Sequence, residues 1–148
     1  MARRAIPRPT NKDSAPKGAA NPASVEAMGA AGLRAFARIA QLWALTVEEQ
    51  IRILGEPARS TFFQWRKEPG KAKLPRDVLE RISNVLGIYK SLTILLPDAQ
   101  AADAWVRKPN AAPFFGGRSA LERMLAGNVA DLHAVRRYLD AARGGGWS

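Results

Sequence analysis

Catalysis needs a nucleophile with its base, a pair of carboxylates, or a set of metal ligands, and this chain offers none of them in a working arrangement. The one histidine, His133, stands without a second histidine or any cysteine, and the carboxylates of the last third, Asp103, Glu122, Asp131 and Asp140, are spread out. Gly116-Gly117 reads as a turn rather than a phosphate cradle. The expectation is a protein that is not an enzyme, with no catalytic residue, no metal and no cofactor. The chemistry that the chain does carry is that of binding. Cationic, hydroxyl and amide side chains gather between Thr46 and Lys67, where they can meet bases and phosphates.

In that stretch Ala58, Phe62 and Trp65 fall at i, i+4 and i+7, one apolar face of a helix. Arg59, Ser60, Thr61, Phe63, Gln64 and Lys67 then face outward. Gln64 can pair bidentately with adenine and Arg59 with guanine. Ser60 and Thr61, at the helix start, suit phosphate contacts beside the backbone amides. Lys71, Lys73 and Arg76 extend the positive stripe. The candidate DNA contacts are Arg59, Ser60, Thr61, Gln64, Lys67 and Lys71. The chain has 23 Lys and Arg against 13 Asp and Glu, a net charge of +10, and an acidic partner suits it. Residues 33–97 hold 11 of those cations and 6 of the carboxylates, half of the excess. Two packed helices with a solvated basic face would show the same pattern.

The last third carries aromatic anchors instead. Phe114 and Phe115 are adjacent in a Pro-Asn-Ala-Ala-Pro-Phe-Phe-Gly-Gly loop, so both cannot face one core, and one is free to serve an interface. Arg143 precedes three glycines and Trp147. Trp105 and Tyr138 read as core residues.

These side chains need helices to hold them. Leu33, Phe36, Ala37, Ala40 and Trp43 recur at helical spacing. Thr46 with Glu49 is a capping box, in which two orphaned backbone donors are satisfied reciprocally, and Val47, Ile51 and Leu54 form the stripe behind it. Gly55 ends that helix and Pro57 opens the next. A linking helix spans about Pro75 to Leu96, with a possible bend at Gly87, and Asp98 to about Lys108 carries Trp105. Ser119 with Glu122 is a second capping box, and Asn128 caps a final helix with Val129, Leu132, Val135 and Leu139 inward. No segment alternates with the period of a strand, so the expected fold is all-α.

Three segments follow: a disordered basic tail over 1–32, a helical unit over 33–97 and a second over 98–148. Met1-Ala-Arg-Arg has no apolar run behind it and is not a secretory signal. The longest apolar run, Ile88 to Leu96, is too short and too polar to span a bilayer. A cytoplasmic protein without membrane contact is expected.

The order of these pieces resembles the Xre/MbcA/ParS family of antitoxins, from about Leu33 to Trp147. Leu45-Thr46-Val47-Glu48-Glu49, Leu54-Gly55, Arg59-Ser60-Thr61 and Gln64-Trp65-Arg66 are similar to the family's Xre-like helix-turn-helix. Ala104-Trp105, Lys108-Pro109-Asn110, Phe115-Gly116-Gly117, Leu121 to Gly127, Val135 to Asp140 and Arg143 to Trp147 are similar to its toxin-binding domain. Arg118-Ser119-Ala120 stands where Thr-Pro is common, and the glycine run is longer by one. The resemblance implies an antitoxin of a type II pair that blocks the active site of a RES-domain toxin and represses its own operon. It implies a homodimer within a larger toxin–antitoxin complex on operator DNA. The residues it points to for the toxin are Trp105, Asn110, Phe114, Phe115, Arg118, Tyr138, Arg143 and Trp147. A stand-alone helix-turn-helix regulator that uses the C-terminal region only to dimerise is the alternative.

Overall fold

In the computed structural model, residues 22–146 are described, with side chains from 27 to 144. Seven α-helices follow in order: α1 Pro22–Leu42, α2 Val47–Ile53, α3 Arg59–Lys67, α4 Arg76–Leu95, α5 Ala99–Trp105, α6 Ala120–Met124 and α7 Val129–Ala141. A 3-10 turn, Pro69–Lys71, joins α3 to α4, and a π-helical turn, Ala142–Gly146, extends α7. Among the described residues there is no strand, only an isolated bridge between Pro109 and Ser119. The all-α expectation holds.

α4 is the spine, packed on α1 along one side and α7 along the other. A single apolar core runs through both halves of the chain, from Leu33, Phe36 and Trp43 through Ile53, Val85 and Ile88 to Met124, Leu132 and Leu139. Each such side chain withdrawn from water contributes about 1.5–3 kcal/mol. Gly87 lies where α4 meets α7. A Cβ there would overlap the guanidinium of Arg136, which crosses the glycine to donate to Ser83 O at 3.2 Å. α4 runs unbroken through that residue, whose role is clearance.

Several expectations are corrected. α1 begins at Pro22, so residues 22–32 are helix, not tail. Ala30 and Leu33 are buried, and Gly32 lies close enough to Ile82 that a Cβ would sit 3.2 Å from it, so α4 holds this part of α1 in place. Residues 1–21 of the expected tail lie outside the described residues. In α2 the buried face is Gln50, Ile53 and Leu54, while Val47 and Ile51 are half-buried. α3 starts at Arg59, two residues after Pro57, and Ala58 is an exposed N-cap rather than part of the apolar face.

The helix ends explain much of the tertiary structure. α1 closes with Ala44 in the left-handed region (φ 55) and Leu45 N–H donating to Ala40 O at 2.8 Å, a Schellman ending normally given to glycine. Arg107 reaches back to it, donating to Trp43 O at 3.1 Å and Ala44 O at 2.7 Å. α2 ends the same way on Gly55 (φ 94), and Arg81 donates to Ile53 O at 3.3 Å. Arg52 donates to Leu125 O at 2.8 Å, at the end of α6. Cations favour the carbonyl ends of helices for electrostatic reasons, and here they also tie distant helices together.

Candidate functional site

α2 and α3, joined through Gly55, are the two helices of the expected helix-turn-helix. Phe62 and Trp65 anchor α3 in the core, and this turns Arg59, Ser60, Gln64 and Lys67 to solvent. Thr61 is half-buried. Lys71 is exposed on the 3-10 turn, with Lys73 and Arg76 exposed beyond it. The outer face is held by acidic neighbours. Arg59 pairs with Glu48 at 3.1 Å, Gln64 donates to Glu68 at 3.0 Å, and Lys71 pairs with Glu68 at 3.2 Å. The carboxyl of Glu48 is held below its ordinary range, first by a hydrogen bond from its own backbone N–H and then by Arg59. Ala58 supplies no side-chain cap, so the first-turn amides of α3 lack one.

The charge count needs revision. Arg52 and Arg81, included in the excess of residues 33–97, are spent on helix ends, as is Arg107 further on. Arg123 pairs with Asp131 at 3.0 Å. Arg59, Lys67 and Lys71 remain exposed on α3 and the turn after it, and Arg34 and Arg38 are exposed on α1.

A second surface lies on the C-terminal half, where four of the expected contact residues converge. Phe115 is buried and meets Trp105 edge-on at 5.8 Å and Tyr138 at 4.9 Å. Phe114, half-buried, stacks on Tyr138 at 5.3 Å. Of the two adjacent aromatics, Phe115 therefore serves the core and Phe114 faces the surface. The guanidinium of Arg123 lies 4.8 Å from the centre of the Phe114 ring. Arg123 was not among the sequence candidates, although its place on the outer side of the capped α6 was a usable signal. Beside this stack is a pocket of about 250 Å³ lined by Phe114, Arg118, Ser119, Glu122, Arg123 and Ala126.

The remaining candidates have other places. Asn110 accepts from Ala112 N–H at 2.9 Å through its side chain, while its backbone bonds to Arg118 and Gly117, so it closes the loop that presents Phe114. Arg143 donates to Ser91 Oγ at 3.4 Å and lies 4.0 Å from Asp140, against α4. Trp147 lies outside the described residues. A third feature, an apolar groove of about 590 Å³, runs between α1 and α4, with Met28, Leu79, Ile82 and Leu86 in its lining and Arg136 at one end.

Comparison with known families matches residues 24–87 to the antitoxin Xre-like helix-turn-helix domain and residues 91–145 to the antitoxin Xre/MbcA/ParS C-terminal toxin-binding domain. The chain belongs to the Xre/MbcA/ParS antitoxin family. The antitoxin is also 50% identical over 125 residues, 84% of its own length and 94% of the relative's, to the uncharacterized protein y4oB of Sinorhizobium fredii. No solved structure matches it. α2 and α3 of the antitoxin thus lie in its helix-turn-helix domain, and the Phe114 stack in its toxin-binding domain. Both matched domains are binding domains. No helix among the described residues is long and apolar enough to cross a membrane.

Proposed function

We propose that the antitoxin neutralises a RES-domain toxin, one that consumes NAD or attaches ADP-ribose to a target, and represses its own operon in the cytoplasm. Residues 98–148 grip the toxin and residues 33–97 grip the operator. The observation that carries the first half is the Arg123–Phe114–Tyr138 stack beside its pocket. Partly exposed aromatic and arginine side chains held rigid by their neighbours are the groups that dominate interface energies. Trp105 and Phe115 support the stack from below, and Arg118 lines the pocket.

The toxin's active site is blocked by the end of the chain. The hold of Arg143 on Ser91 and Asp140 is long, 3.4 and 4.0 Å, so its guanidinium exchanges readily for carboxylates in a nucleotide-sized cleft. Trp147 supplies an indole a few residues further on. The DNA half is supported by the exposed outer face of α3 and by its uncapped first-turn amides, which suit a phosphate. The homodimer covers the groove at Met28, whose 70% exposure beside a groove that it helps to line suits a two-fold contact between copies.

Coexpression with the toxin encoded beside it is the test. The full chain is expected to rescue growth, and a stand-alone regulator would not. A protein lacking Gly144 to Ser148 that still neutralised the toxin completely would sink the blocking mechanism. For the operator, affinity should fall steeply with salt; Lys71→Ala should lower the slope by about one phosphate contact, and Arg59→Ala should relax specificity at one base pair.

A further inference from the structure

Among the described residues, α3 exposes one large apolar side chain where solvent alone would favour a polar one. Phe63 is 43% exposed. It stands on the outer face, one turn from Arg59 and Ser60 on one side and from Lys67 on the other, and next to Gln64. The ring has a fixed place. It meets the buried Phe62 edge-on at 5.2 Å, and the guanidinium of Arg59 lies 5.5 Å from its centre. A ring so placed is preorganised, since little rotamer freedom is left to lose on binding.

We infer that Phe63 reads a thymine by packing against its C5 methyl group in the major groove. The inference rests on the DNA-binding reading above. Of the groups that base pairs display in that groove, the thymine methyl is the apolar one, and aromatic or aliphatic side chains are what contact it. The neighbours of Phe63 supply the hydrogen-bonding and cationic groups that the bases and phosphates beside a methyl require. An apolar residue in the middle of such a face adds selectivity that Arg59 and Gln64 lack, because neither can sense a methyl group. The pairing of Arg59 with Glu48 also keeps that guanidinium beside the ring before DNA arrives.

The full-length protein is titrated against its operator, mapped by footprinting, with each thymine replaced in turn by uracil, a change that removes only the methyl group. In the wild type one position is expected to weaken binding by about fivefold to tenfold, within the range of a single base contact. Phe63→Ala should bind the unmodified operator more weakly by a similar factor, lose its sensitivity to uracil at that one position, and keep the salt slope. Phe63→Leu, which retains an apolar contact, should keep part of the sensitivity. Retained salt-dependent binding with uracil sensitivity unchanged by Phe63→Ala overturns this inference alone. A change in sedimenting mass for Phe63→Ala, without any change in uracil sensitivity, assigns the ring to a contact between copies and also overturns it. Absence of salt-dependent binding in the wild type would overturn the DNA reading and this inference together.

Discussion

Arg107→Ala tests whether the two family-matched halves are one folding unit. The residue lies in the toxin-binding match, yet its guanidinium donates to Trp43 O and Ala44 O at the end of α1 and to Glu49 Oε1 in the capping box of α2, the last at 2.9 Å. Its side chain is 42% exposed, so the usual value of a charged hydrogen bond must be discounted for solvent. Each carbonyl bond is then worth about 1 kcal/mol and the ion pair about 0.5 kcal/mol, for a total of about 2.5 kcal/mol. For a chain of this size the loss lowers Tm by roughly 5–10 °C. Thermal and urea unfolding followed by circular dichroism measure it. A double-mutant cycle with Glu49→Gln isolates the ion pair, because glutamine still accepts from Thr46 N–H and preserves the cap. The coupling should be about 0.5 kcal/mol. A Tm indistinguishable from the wild type, or two separate transitions in the wild type, would refute the claim that these contacts join the halves.

Three further outcomes follow from the helix ends and their charges. Ala44→Gly should stabilise the protein by about 1 kcal/mol in urea unfolding, because Ala44 occupies a left-handed conformation that costs an L-residue about that much. Gly55→Ala should do the reverse, by about 1–2 kcal/mol, since a Cβ there meets Arg81 Nε at 3.0 Å and Asp77 Oδ2 at 3.1 Å in addition to the backbone strain. Glu48 has a depressed carboxyl, so its contribution to stability is present above the unfolded value near 4.5 and is lost as pH falls through the lower folded value. An NMR titration of Arg59→Ala should raise the Glu48 value only part of the way, because the larger cause, the backbone hydrogen bond, remains; a full return would contradict that ranking.

Much of the site was legible because its signals are local. The capping boxes at Thr46 with Glu49 and Ser119 with Glu122 form as expected, since a cap needs only side chains three residues apart. Gly55 ends α2 because a Schellman turn needs a left-handed residue and glycine adopts one freely. Phe62 and Trp65 point inward, and the stripe they define correctly places Arg59, Gln64 and Lys67 outside. The apolar spacing of α2 misled by one position, as Gln50 is buried while donating to Leu45 O at 3.1 Å, and no hydrophobic pattern marks such a glutamine.

By itself, the sequence determined the helical class, most helix ends and which basic side chains of α3 face solvent, all of which depend on neighbours within a turn or two. Only the tertiary structure decided which charges are committed to distant helix ends. Arg52, Arg81 and Arg107 bond to carbonyls 73, 28 and 63 residues away, which nothing within a turn of them specifies. It also decided that residues 22–32 are helix, because α4 packs against α1 there, and that Phe115 goes inward while Phe114 stays at the surface between Tyr138 and Arg123. The physical reason is common to all three. A guanidinium, a weakly amphipathic segment and a pair of adjacent aromatics each have several acceptable local arrangements, and the one adopted is set by which helix ends and faces the packed core brings within reach.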